Sequence, residues 1–137
     1  EQDTRMKRGN IRENKALDVT EKKLNINITD RNSQMYSNVL FKTDKYEVIL
    51  IGKVDGMSDG KIVETKNRRN RFFAKIPDYE KVQMECYMFL TDKKSCIHIE
   101  NLDSKQNIRE YSHNEDFWSK VLEKTKNFMD ENLSPYL

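Results

Sequence analysis

At 137 residues, 35% of them charged and 36% apolar, the chain suffices for one domain without disulfides or a structural metal, and its burial must be concentrated in short segments. Two cysteines without metal spacing and two distant histidines leave little for a zinc site or a histidine base, so Cys86 and Cys96 are read as buried, reduced thiols of an intracellular protein. The net charge of +2 hides local basic clusters, and no segment approaches the roughly 20 apolar residues of a membrane span or shows a signal-peptide pattern.

In chain order, residues 4–24 read as a helix with Met6, Leu17 and Leu24 apolar. Gly9 in its interior costs about 1 kcal/mol relative to alanine, which calls for a packing or functional reason. Arg5, Lys7, Arg8 and Arg12 make one basic cluster there. Asn25 to Thr29 alternates and is expected to be a short strand, and Gln34 to Phe41 another. Tyr46 to Val54 is the strongest strand, and its Val48-Ile49-Leu50-Ile51 run predicts burial on both faces. Lys61 to Asn67 follows as a strand.

Pro77-Asp78 opens a helix to about Leu90, with Tyr79, Val82, Cys86, Phe89 and Leu90 as its expected buried stripe. A strand over 95–100, a turn at Asp103-Ser104-Lys105 and a short strand around 108–111 come next. Asn114 or Ser112 caps a last helix to about Leu133, with Phe117, Trp118, Val121, Leu122, Thr125 and Phe128 near its inner face. There is no internal repeat. The order predicts a single α/β domain over 1–137, a mixed, partly antiparallel β-sheet flanked by helices. The chain begins at Glu1 without a methionine, so we expect a fragment of a longer protein, with a fused domain or larger complex as its setting.

The chemistry gathers between Ile51 and Lys66. Asp59-Gly60 suits a type I′ hairpin turn, whose central residues both need positive φ. Counting outward pairs Ser58 with Lys61, Met57 with Ile62, Gly56 with Val63 and Asp55 with Glu64, and strand alternation returns Lys66 to the face of Glu64. Carboxylates and carbonyls suit hard cations, so Asp55, Glu64 and the Thr65 carbonyl are candidate ligands of Mg²⁺ or Mn²⁺. Lys66 is placed to position or help deprotonate a water. Gln83 and Tyr87, four apart, share one helix face. A solvated strand face with Lys66 as an ordinary ion-pair partner is the alternative. The basic run Lys66 to Arg71 suits a polyanion, with Arg68, Arg69 and Arg71 as candidate phosphate contacts.

Four blocks in order, Gly9-Asn10-Ile11-Arg12-Glu13, Gly52-Lys53-Val54-Asp55-Gly56, Ile62-Val63-Glu64-Thr65-Lys66 and Gln83-Met84-Glu85-Cys86-Tyr87, resemble the PD-(D/E)xK nuclease superfamily and its RecB-like, lambda-type exonuclease branch. Val54 stands where the superfamily name has proline. The resemblance implies a restriction-endonuclease-like core and a Mg²⁺- or Mn²⁺-dependent nuclease acting on nucleic acid, DNA before RNA, with exonucleolytic action as the branch's mode. Asp55 and Glu64 match the metal carboxylates, Lys66 the catalytic lysine and Glu13 the first-helix glutamate of the metal site. Gln83 and Tyr87 match the helix motif that lines the active site. The rival expectations are a catalytically silent nucleic-acid-binding or structural module of the same fold, and an interaction domain whose basic loop meets an acidic protein surface.

Overall fold

This computed structural model describes residues 2–137, with side chains described at residue 11 and from 13 onward. The expectations for Met6, Gly9 and the cluster Arg5, Lys7, Arg8 and Arg12 therefore lie outside the described residues. Helix α1 runs Gln2–Leu24 and ends where Asn25 takes a left-handed φ of 53°, a conformation asparagine tolerates at helix C-termini.

The strand expected over Asn25 to Thr29 reduces to a single bridge between Thr29 and Met57. The left-handed residues Asn25 and Asp30 bracket it, and the Ile28 N–H is drawn to the Glu21 carboxylate at 2.7 Å instead of a neighbouring strand.

Strands β1 (Tyr36–Lys42) and β2 (Glu47–Gly52) form an antiparallel hairpin with a bulge between Val39 and Phe41, a small sheet of their own. Burial of β2 on both faces is not found: Ile49 is 56% and Ile51 61% exposed. Only one face of this two-stranded ribbon is covered, so its β-branched run reflects strand propensity and not double burial.

The main sheet has the order β3-β4-β5-β6, from β3 (Gly56–Ser58), β4 (Lys61–Asn67), β5 (Ser95–Leu102) and β6 (Lys105–Ser112). The β4–β5 pair is parallel and is crossed over by helix α2 (Asp78–Thr91); the other pairs are antiparallel. The mixed α/β architecture with helices on a mixed sheet is thus as expected. On one face Leu17 of α1 and Ile28 pack with Val63, Ile97 and Ile99. On the other, Met84 and Met88 of α2 pack with Val54, Ile62 and Cys96.

The buried stripe of α2 differs from the one expected. Glu80, Met84, Glu85 and Met88 are buried, whereas Tyr79 is exposed and Val82, Cys86, Phe89 and Leu90 are half-buried. A hydrophobic count misses the two glutamates because each finds polar partners inside. Glu80 meets Arg68 and His98. Glu85 accepts from the Tyr111 hydroxyl at 2.7 Å and the Asn114 N–H at 2.9 Å.

Helix α3 (Glu115–Leu133) is capped by Asn114, whose side chain accepts from the Phe117 N–H at 3.0 Å. Trp118 is buried and packs on Phe89, with ring centroids 5.7 Å apart. Phe128, expected on the inner face, is exposed. Cys96 is buried and Cys86 only half-buried, both as free thiols. No helix among the described residues is long and apolar enough to cross a membrane.

Candidate active site

The Asp59-Gly60 turn forms with φ of 52° and 77°, and the pairs Ser58–Lys61, Met57–Ile62 and Gly56–Val63 are in the register counted from the sequence. The ladder stops there. Asp55 is not a cross-strand partner of Glu64, because the backbone bends at residue 55. It is still brought to the site: its Oδ2 accepts from the Thr65 N–H at 2.8 Å and from the Thr65 hydroxyl at 3.2 Å.

Glu64 and Lys66 point to the α2 side of β4. The Lys66 Nζ donates to Glu64 Oε1 at 2.9 Å and also to the Gln83 side-chain oxygen. Gln83 Nε2 in turn donates to the Tyr87 hydroxyl at 3.0 Å. The sequence-predicted quartet Glu64, Lys66, Gln83 and Tyr87 is therefore one connected chain of polar contacts. Gly52 lets it close, because a Cβ there would stand 3.3 Å from the Tyr87 ring and 3.2 Å from Leu90.

Too much negative charge is collected here. Burial, and then the charge of Asp55, push the Glu64 carboxyl up to about 8 although Lys66 pulls it down. Glu13, on α1, is likewise raised to about 8 by burial and by its hydrogen bond to Asp55 and that group's charge. Three carboxyl groups thus crowd together with one ammonium to balance them. With all three ionised, the buried Oε2 of Glu64 has no donor. Burying an unpaired charge is costly. An orphaned buried carboxylate oxygen among oxygen donors is what a hard divalent cation would satisfy, so these residues fit one. Among the described residues, however, no group of three His, Cys, Asp or Glu side chains stands assembled as a cation cage. Tyr87, whose hydroxyl is pushed up to about 12 by burial and by Glu64, stays protonated.

The basic run divides. Arg69 and Arg71 are exposed. Arg68 is not, and its reading as a phosphate contact is corrected: its side chain is 8% exposed, held by Glu80 and Glu100 and stacked 3.7 Å over the Phe73 ring. The fork is already filled with carboxylates, which leaves it unavailable to a phosphate. Sequence reasoning missed this cluster of Glu80, His98 and Glu100. Its one visible signal was Glu80 at helical spacing with Met84 and Met88. A cavity of about 510 Å³ between α1 and the β5–β6 turn, lined in part by Lys15, Asn67, Asn101 and Gln106, holds none of Asp55, Glu64 and Lys66, so it does not locate the chemistry.

No family model matches this chain, and no curated protein matches it by sequence. Solved structures do. SSO0001 aligns with a TM-score of 0.65 at 15% identity, over 94% of this chain and 61% of that one. The alkaline exonuclease LHK-Exo from Laribacter hongkongensis aligns at 0.54 and 10% identity, over 91% of this chain and 72% of its own. LHK-Exo in complex with dAMP gives 0.55 and 13%, over 91% and 71%. The chain spans about three fifths of the length of SSO0001. At these identities the likeness is one of fold, and that fold is shared with an exonuclease.

Proposed function

We propose that this chain is a Mg²⁺- or Mn²⁺-dependent nuclease domain of the PD-(D/E)xK superfamily, in its RecB-like, lambda-type exonuclease branch. The observation that carries the reading is Glu64, held at one oxygen by Lys66 and left without a partner at the other, against a second carboxylate, Asp55. The exonuclease fold shared with LHK-Exo supports it. The reading takes residues 1–137 as a single nuclease domain.

Asp55, Glu64, the Thr65 carbonyl and Glu13 are the groups that would hold the ion. When bound, a divalent cation supplies Lewis-acid polarisation of the scissile phosphate and a more acidic water. Lys66 orients the attacking water and offsets charge in the transition state. Gln83 fixes the lysine, and Tyr87 fixes Gln83 through the hydrogen bond it accepts. Arg69 and Arg71 contact backbone phosphates, which gives affinity with little sequence information. DNA is the substrate favoured over RNA, and exonucleolytic cleavage the favoured mode.

The test is to incubate the protein with end-labelled and circular DNA and RNA, with Mn²⁺ or EDTA, beside a folded Lys66→Ala variant. Metal-dependent cleavage that the variant lacks supports the reading, and the circular substrates separate endo- from exonuclease. A second reading, a nucleic-acid-binding module of this fold without catalysis, is favoured by the absence of an assembled three-ligand cage among the described residues. Calorimetry with Mn²⁺ separates the two, since the silent module gives no binding heat.

A further inference from the structure

We infer that Arg68 is a positioning residue which, through Glu80, seats helix α2 so that Gln83 and Tyr87 hold the Lys66 amine in place. Strand β4, with Arg68 one residue past its end and still bonded through its N–H to the Asn101 carbonyl of β5, meets helix α2 in two polar rungs. Lys66 contacts Gln83, and two residues further along the chain Arg68 contacts Glu80, one helical turn before Gln83. Residues two apart on a strand share a face, as do residues three or four apart on a helix. The rungs therefore lie side by side, and together they fix both the height and the rotation of α2 over the strand.

The second rung is built to be rigid. The Arg68 NH1 and NH2 groups donate to the two Glu80 oxygens at 2.7 and 2.8 Å, and Nε donates to Glu100 at 2.7 Å. Each nitrogen of the guanidinium is thus occupied. Glu100, beside Lys66 in the β4–β5 register, is held by the Phe73 N–H at 2.9 Å and Asn107 at 3.0 Å. His98, beside Glu64, contacts Glu80 Oε1 at 2.9 Å. The start of α2 has no side-chain cap at Pro77, so Glu80 is the group that anchors its first turn. The first rung, in contrast, joins two flexible side chains, and Lys66 remains 20% exposed. Glu64 and Tyr87 hold its two ends, and the second rung sets the position of the helix between them. Lysine at 68 would keep the charge but not the three-nitrogen fork.

The activity arm of the test rests on the nuclease reading, and the labelling arm does not. Arg68→Lys and Glu80→Gln would be compared with the parent by trace acetylation of Lys66, with exposed Lys45 as reference. Alkylation of the buried Cys96 thiol reports general opening. Turnover on DNA and the salt dependence of binding to a labelled duplex complete the set. The expected result is faster Lys66 acetylation in both variants with Cys96 still protected. Turnover should fall about 10- to 100-fold, as small misplacements of catalytic groups do, with KM and the salt slope unchanged.

Unchanged Lys66 protection in both variants would overturn the inference. Joint exposure of Lys66 and Cys96 would also overturn it, as the mark of a plain core ion pair. A third contrary result is a salt slope steeper by about 0.9 in Glu80→Gln with turnover intact, since that is one phosphate contact released from Glu80. If the parent cleaves nothing, the nuclease reading fails, while the acetylation pattern still decides the clamp.

Discussion

The Lys66 ammonium lies 2.9 Å from one oxygen of Glu64, and the other oxygen of that carboxylate is buried and has no donor when the neighbouring carboxyls are ionised. Glu64→Gln separates the structural from the chemical meaning of this arrangement. Below the raised value of about 8 the carboxyl is mostly protonated in the metal-free protein, so the neutral amide resembles it. Unfolded, however, the parent's carboxyl is ionised above 4.5. Urea denaturation in EDTA at pH 5 should therefore show a change under about 1 kcal/mol, while at pH 7 the variant should be the more stable by roughly 3 kcal/mol, and by more at pH 9. The rise in Tm that Mn²⁺ gives the parent should vanish. A Mn²⁺ response equal to the parent's removes Glu64 from the ligand set.

The same carboxyls predict an inverted pH dependence of stability. Glu64 and Glu13 are raised from 4.5 to about 8, so between those values the folded state binds more protons than the unfolded state. Their stabilising contribution is full below pH 4.5 and is lost as pH rises through about 8. Metal-free protein should lose Tm across that window, while the Mn²⁺-induced increment grows, because the cation competes with protons for the same oxygens. Thermal melts at pH 5, 6, 7, 8 and 9, with EDTA or Mn²⁺, measure both. An increment that does not vary with pH would place the ion elsewhere.

How much of this was legible beforehand follows from which interactions are local. The Asp59-Gly60 turn and the three pairs around it depend on turn chemistry and alternation, so the hairpin register could be counted. Glu64, Lys66, Gln83 and Tyr87 came together because strand and helix periodicity each put them on one face. Burial was read less well. Ile49 and Ile51 looked like core, yet only the tertiary arrangement decides whether a ribbon is covered once or twice. Arg68 looked like surface, yet two carboxylates distant in sequence, Glu80 and Glu100, take it inside. A buried charge is recognisable only with its partners, and those are long-range contacts.

Two glycines make contrasting predictions. A Cβ on Gly56 would stand 2.5 Å from the Ile28 side chain, and Ile28 is itself buried in the core. Gly56→Ala should therefore cost about 1–3 kcal/mol, the range for overpacking. At Gly52 the contacts are 3.2 Å to Leu90 and 3.3 Å to the Tyr87 ring, distances that a modest shift relieves. Gly52→Ala should cost less in stability, while displacing Tyr87 and with it Gln83. Turnover in that variant should fall by more than its urea midpoint explains. Parallel denaturation and cleavage assays decide this, and a fully active Gly52→Ala variant would detach Tyr87 from the site.

The β1–β2 ribbon offers a test of its single covered face. Ile49 and Ile51 point outward, while Val48 and Leu50 alternate inward and are half-buried. Replacing both outward residues by threonine keeps strand propensity and removes exposed apolar surface, so stability should stay within about 0.5 kcal/mol. Leu50→Ala removes packed methyl groups and should cost about 2 kcal/mol or more. Urea midpoints at two protein concentrations provide the comparison. A loss above about 1 kcal/mol for the threonine pair, growing with protein concentration, would mean that this face is covered in solution by another copy of the chain.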